Sequence, residues 1–119
     1  MAGHERKLRC YAVHDERFIG SVFASNQSNL SVSELDPKTH ALVRLAALLA
    51  LGASPPSLQS DVEAGLAAGA TVDEIVGTLI AVTPRIGSAR AVSQAPELAL
   101  AIGYDVDVAL EEPTDGAGA

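Results

Sequence analysis

Three residues in the middle of this chain, His40, Arg44 and Asp61, are of types that together could hold an anionic group and move a proton. Arg44 is the strongest candidate for the clamp. A guanidinium set among Leu42, Val43, Leu45 and Ala46 must find a partner, and its planar fork matches a carboxylate through two parallel hydrogen bonds. His40 lies one helical turn earlier on the same face, and an imidazole titrates near neutral pH, so it can serve as general acid or base. Asp61 can orient His40 or carry the proton itself. Each also has a structural reading: Arg44 paired with Asp61, Glu63, Glu74 or a neighbouring subunit, His40 as a solvent-facing or capping residue, Asp61 as a solvated charge beside Gln59 and Glu63. Arg85, Ser88 and Arg90 surround a Pro84/Gly87 break where a loop can close over a pocket, which would make Arg85 and Ser88 substrate contacts; the alternative is surface decoration.

The elements that must position these residues read as helices, with no internal repeat and no strand–helix alternation. Val13, Phe18, Ile19, Val22 and Phe23 recur at helical intervals behind a capping Asp15, and the polar run from Ser25 to Asn29 ends that helix or begins a loop. Leu30, Val32 and Leu35 then anchor the connection. Asp36 as cap and Pro37 at the first helical position open a second helix that Gly52 stops. Its apolar residues lie almost all round the cylinder, the pattern of a helix surrounded by protein. Leu58, Val62 and Leu66 give a shorter stripe ending at Gly69. Thr71 and Glu74 form a capping box ahead of a helix expected to bury Ile75, Val76, Leu79, Ile80 and Val82. Pro84 and Gly87 should interrupt that helix, and a last helical region from Ser88 to Gly103 should kink or divide at Pro96. The expected organisation is a flexible segment over 1–10, an all-α domain over 11–110 and a disordered acidic tail over 111–119.

Composition narrows the partners. Of the 119 residues 48% are hydrophobic and only 3% aromatic, so the core is assembled from many small contacts, each buried methylene contributing about 0.8 kcal/mol. With a mean hydropathy of +0.23 and no membrane span, this predicts apolar surface hidden between identical subunits. The net charge of −7 opposes binding to nucleic acid or anionic lipid. Cys10 is the only cysteine, which excludes an intramolecular disulfide or a cysteine-pair motif and fits a reducing cytoplasm. Residues 1–9 do not resemble a secretory signal, and the apolar run 45–51 is far shorter than the roughly 20 residues a bilayer requires. The histidines and acids show no metal-ligand spacing.

The run from Leu35 to Ala47, LDPKTHALVRLAA, resembles the first signature helix of the carboxymuconolactone decarboxylase family, and Gly69-Ala70-Thr71-Val72-Asp73-Glu74-Ile75, followed by Gly87, resembles its second. The resemblance implies an all-helical, alkylhydroperoxidase D-like fold that assembles as a homotrimer or homohexamer. In the peroxidase branch a Cys-x-x-Cys opens the helix after the first signature; here that stretch reads Ser54-Pro55-Pro56-Ser57. Thiolate chemistry is therefore absent from that position, and peroxide reduction would have to use Cys10, outside the signature. A histidine common on that helix in the decarboxylase branch aligns with Asp61, and a glutamate of the first signature aligns with Ala41. The resemblance thus implies a cofactor-independent carboxy-lyase acting on a small carboxylated metabolite, with Arg44 as clamp and His40 or Asp61 moving the proton. The alternative is an oligomeric binding or scaffold protein that has kept the fold without the reaction.

Overall fold

The computed structural model describes residues 2–104, and every regular element among them is a helix: α1 (Gly3–Ala12), α2 (Glu16–Phe23), α3 (Asn26–Ser33), α4 (Pro37–Leu51), α5 (Pro55–Ala67), α6 (Val72–Ile86) and α7 (Ser88–Ala101). The expected acidic tail over 111–119 lies outside the described residues. Two compact units divide between His40 and Ala41, inside α4. No helix among the described residues is long and apolar enough to cross a membrane.

In the first unit, Met1–His40, the opening segment forms α1, which runs across the expected boundary after residue 10. Its anchor is Lys7, whose Nζ donates to the Val32 carbonyl (2.7 Å) and to Glu34 Oε2 (2.5 Å) at the end of α3. Asp15 caps α2 as its position predicts, accepting from the Phe18 N–H at 3.0 Å. The polar run from Ser25 to Asn29 follows the end of α2, as one reading expected, but begins no loop: Ser25 caps α3 and the rest of the run lies within it. The reason is visible in the side chains, since Ser28 Oγ donates to the Ser21 carbonyl and Asn29 Nδ2 to the Val22 carbonyl, joining α3 to α2 through polar groups. Asp36 caps α4, its Oδ1 accepting from the Thr39 N–H at 2.7 Å and its Oδ2 from the Thr39 hydroxyl at 3.1 Å.

In the second unit, Ala41–Ala119, Leu45, Leu49, Leu58, Val62, Ala70, Ile75 and Leu98 form one apolar cluster. Helix α7 packs against both α5 and α6. The capping box of α6 is complete: the Thr71 N–H donates to Glu74 Oε1 (2.9 Å) and the Glu74 N–H to Thr71 Oγ1 (3.0 Å). Two expectations for α6 need correction. Ile75 is fully buried, but Val76 and Ile80 are exposed within the chain, because the apolar residues wrap farther round the helix than one neighbouring layer can cover. The helix also runs through Pro84 to Ile86 before Gly87, at φ 89°, ends it, and α7 likewise continues through Pro96.

Candidate functional site

His40 belongs to the first unit, and Arg44, Asp61, Arg85 and Ser88 belong to the second. His40 closes the first unit and is buried, so it is not solvent-facing. Its Nε2 stands 2.7 Å from Asn29 Oδ1. Because the Asn29 amide nitrogen is already donating to the Val22 carbonyl at 2.9 Å, its oxygen must be the acceptor, which fixes the hydrogen on His40 Nε2. A chain of two hydrogen bonds therefore runs from His40 through Asn29 to the backbone of α2. This gives the imidazole a defined structural task at the start of α4.

In the second unit, Arg44 projects from α4 next to the fully buried Leu45, with its own side chain exposed. It makes no ion pair with Asp61 or Glu63. Asp61 is half-buried on α5, one residue before the fully buried Val62. Arg85 is exposed in the last turn of α6 and Ser88 is exposed at the start of α7. Among the described residues, no hydrogen bond or ion pair joins any two of Arg44, Asp61, Arg85 and Ser88. Arg90, by contrast, has a clear structural role. Its Nη1 donates to the Leu51 carbonyl at 3.3 Å, satisfying an end carbonyl of α4, and the guanidinium fills the space that a Cβ on Gly52 would occupy. Gly52 also has φ 77°, the left-handed region that favours glycine, whereas a Cβ there would meet only the movable end of the Arg90 side chain.

Two serines, Ser54 and Ser57, stand in the stretch where the family resemblance would put a cysteine pair. Ser54 Oγ donates to Ser57 Oγ at 3.1 Å across the first turn of α5. Pro55, Pro56, Gln59, Ser60 and Glu63 line an open depression of about 450 Å³ on the same helix, and Gln59 Nε2 donates to Glu63 Oε1 at 3.2 Å within it. These neutral hydroxyls and amides can donate and accept hydrogen bonds.

Gln94 is the residue that sequence reasoning overlooked. It is buried in α7, and its Oε1 has no hydrogen-bond partner. Leaving such an acceptor unsatisfied costs about 1–3 kcal/mol. A signal for it was available, since Gln94 falls between Ala91 and Leu98 on the buried face of the helix. Among the described residues, no three of His, Cys, Asp and Glu gather into a group able to hold a metal ion.

No curated protein and no solved structure matches the chain. The two signatures, with α4 and α6 starting where their caps predict and with serines at the redox positions, fall inside a family match over residues 21–100, and the chain belongs to the carboxymuconolactone decarboxylase family.

Proposed function

We propose that the protein is a cofactor-independent carboxy-lyase acting on a small carboxylated metabolite, with Arg44 as the carboxylate clamp. The observation that carries this reading is the exposed Arg44 guanidinium, which has no carboxylate partner among the described residues although it sits on the first signature helix. In such a reaction the bond to the departing carboxyl carbon breaks, carbon dioxide leaves, and the electron pair enters an enolate that a cation stabilises before a proton returns to carbon. Asp61 is the proton carrier in this proposal. His40, engaged with Asn29, positions the start of α4 and is second in line for that task. Arg85 and Ser88 add substrate contacts from the α6–α7 junction.

The working form in this reading is a homotrimer or homohexamer in the cytoplasm. Its support is the set of apolar rows left uncovered in one chain: Val43 and Leu51 on α4, Val76 and Ile80 on α6, Val92 and Leu100 on α7. A second reading, an oligomeric binding or scaffold protein, is favoured by the same rows together with Ala41 and Asp61 at positions where the family carries other polar groups. A thermal-shift screen of small carboxylic acids separates the two. A ligand at 100 times its Kd adds about 2.7 kcal/mol of stability. The lyase reading expects a shift that vanishes in Arg44→Ala while the assembly mass by light scattering is retained. A shift that Arg44→Ala leaves intact overturns the clamp, and an assembled protein stabilised by no carboxylate is the scaffold outcome.

A further inference from the structure

A second cavity, of about 460 Å³, lies wholly within the first unit and shares no lining residue with the site above. Arg6, Lys7 and Cys10 of α1 border it, together with Asp15 and Arg17 at the start of α2 and Glu34 after α3. Three of its five charges are already engaged. Lys7 holds Glu34 and the Val32 carbonyl, and Asp15 caps α2. Arg6 and Arg17 are exposed and make no ion pair among the described residues, so two guanidinia with unused donors border one concavity that Phe18 also lines. The lining carries three bases against two acids, a local positive surplus in a chain of net charge −7. Its volume falls within the roughly 300–1,000 Å³ of small-molecule sites.

We propose that this cavity binds a small organic carboxylate, gripped by Arg6 and Arg17, with its carbon skeleton against Phe18 and beside the Cys10 thiol. A guanidinium fork suits a carboxylate, and a second cation on the same cavity favours a compact anion over a neutral molecule. Cys10 is the only cysteine, so alkylation reports on this cavity alone. Iodoacetate and iodoacetamide react identically with it: the thiolate sulfur forms a bond to the methylene carbon and iodide leaves with the electrons of the carbon–iodine bond. They differ only in carboxylate against amide, and the ratio of their rates cancels the thiolate fraction.

The test measures that ratio on the full chain against the neutral thiol N-acetylcysteinamide in the same low-salt buffer. A single unit-charge attraction at about 4 Å in water corresponds to roughly fivefold, so the Cys10 ratio should exceed the reference by about fivefold or more and fall back in Arg6→Gln/Arg17→Gln. Millimolar malonate should slow both reagents. A ratio equal to the reference, a thiol that neither reagent reaches, or an enhancement that survives the double substitution overturns the proposal. Protection by inorganic phosphate without protection by malonate overturns the assignment to a carboxylate. The wild-type ratio and the malonate arm need no variant, so the proposal remains testable if the double substitution impairs folding.

Discussion

In Ala41–Ala119, Leu45, Leu49, Leu58, Val62 and Ile75 are sealed from solvent, whereas among the described residues of Met1–His40 the one buried residue is a histidine. The first unit holds its helices by donating side-chain hydrogen bonds to backbone carbonyls of neighbouring elements, from Lys7 to Val32, Ser28 to Ser21 and Asn29 to Val22. The second relies on interlocked aliphatic side chains, with Arg90 to Leu51 as a polar tie between its helices. Charge divides the same way. Residues 1–40 carry five acids and five bases, so the whole net charge of −7 arises after them. Polar ties are directional and individually modest, about 0.5–1.5 kcal/mol net, whereas burial is non-directional and sums over area. The two units should therefore respond differently to the same kinds of change.

The largest contrast is expected in the apolar cluster. Leu49→Ala removes a fully buried side chain and should cost about 2–5 kcal/mol in urea unfolding at fixed protein concentration. Phe23→Ala, at an 81% exposed position of the first unit, should stay within about 0.5 kcal/mol of the parent. Similar losses from both would erase the distinction. The next effect belongs to the polar side. Asn29→Leu leaves the buried His40 N–H and the Val22 carbonyl without their partner and should cost about 1–3 kcal/mol. It should be read by hydrogen exchange as faster opening of α2 and α3 while α5 to α7 keep their protection. Asn29→Asp preserves the acceptor for His40 and should cost less; an equal loss would mean that the His40 bond contributes nothing.

What the sequence made legible follows the same division. Asp36-Pro37, Thr71 with Glu74, and Gly52 announce helix ends because the partners of a cap are three or four residues away, and the structure places all of them as read. The run from Ser25 to Asn29 misleads because its polar groups serve α2 carbonyls seven residues back, and composition does not reveal such a partner. Periodicity marks Val76 and Ile80 as apolar without saying what covers them. Among the candidate residues, Arg44 draws attention as a cation on an apolar helix, because that is a local contradiction, and its side chain is exposed. The roles of His40 and Arg90 were not, since Asn29 and Leu51 lie 11 and 39 residues away. Gln94 was passed over although its spacing from Ala91 and Leu98 puts it on the same face, because a glutamine on an alanine-rich stripe reads as surface.

The smallest effect tests whether the first unit is the one that acid loosens. Glu34 is held below the usual carboxylate range first by the hydrogen bond from Lys7, then by the Lys7 charge and more weakly by that of Arg6. Asp36 is lowered by the Thr39 backbone N–H and then by the Thr39 hydroxyl. For both, the folded value lies under the unfolded one. Their contribution is complete above the unfolded carboxylate range and disappears as pH falls through the folded values, because the unfolded chain then binds more protons than the folded one. Both groups face solvent, so global stability should change little and the sensitive readout is the carboxyl titration followed by NMR. Lys7→Met should return Glu34 to the ordinary glutamate range while Asp36 keeps its lowered value, since nothing in the cap of α4 depends on Lys7. If Glu34 titrates normally in the parent protein, the pair between Lys7 and Glu34 is absent in solution. In that case the Lys7 bond to the Val32 carbonyl is left as the long-range hydrogen bond of α1 among the described residues.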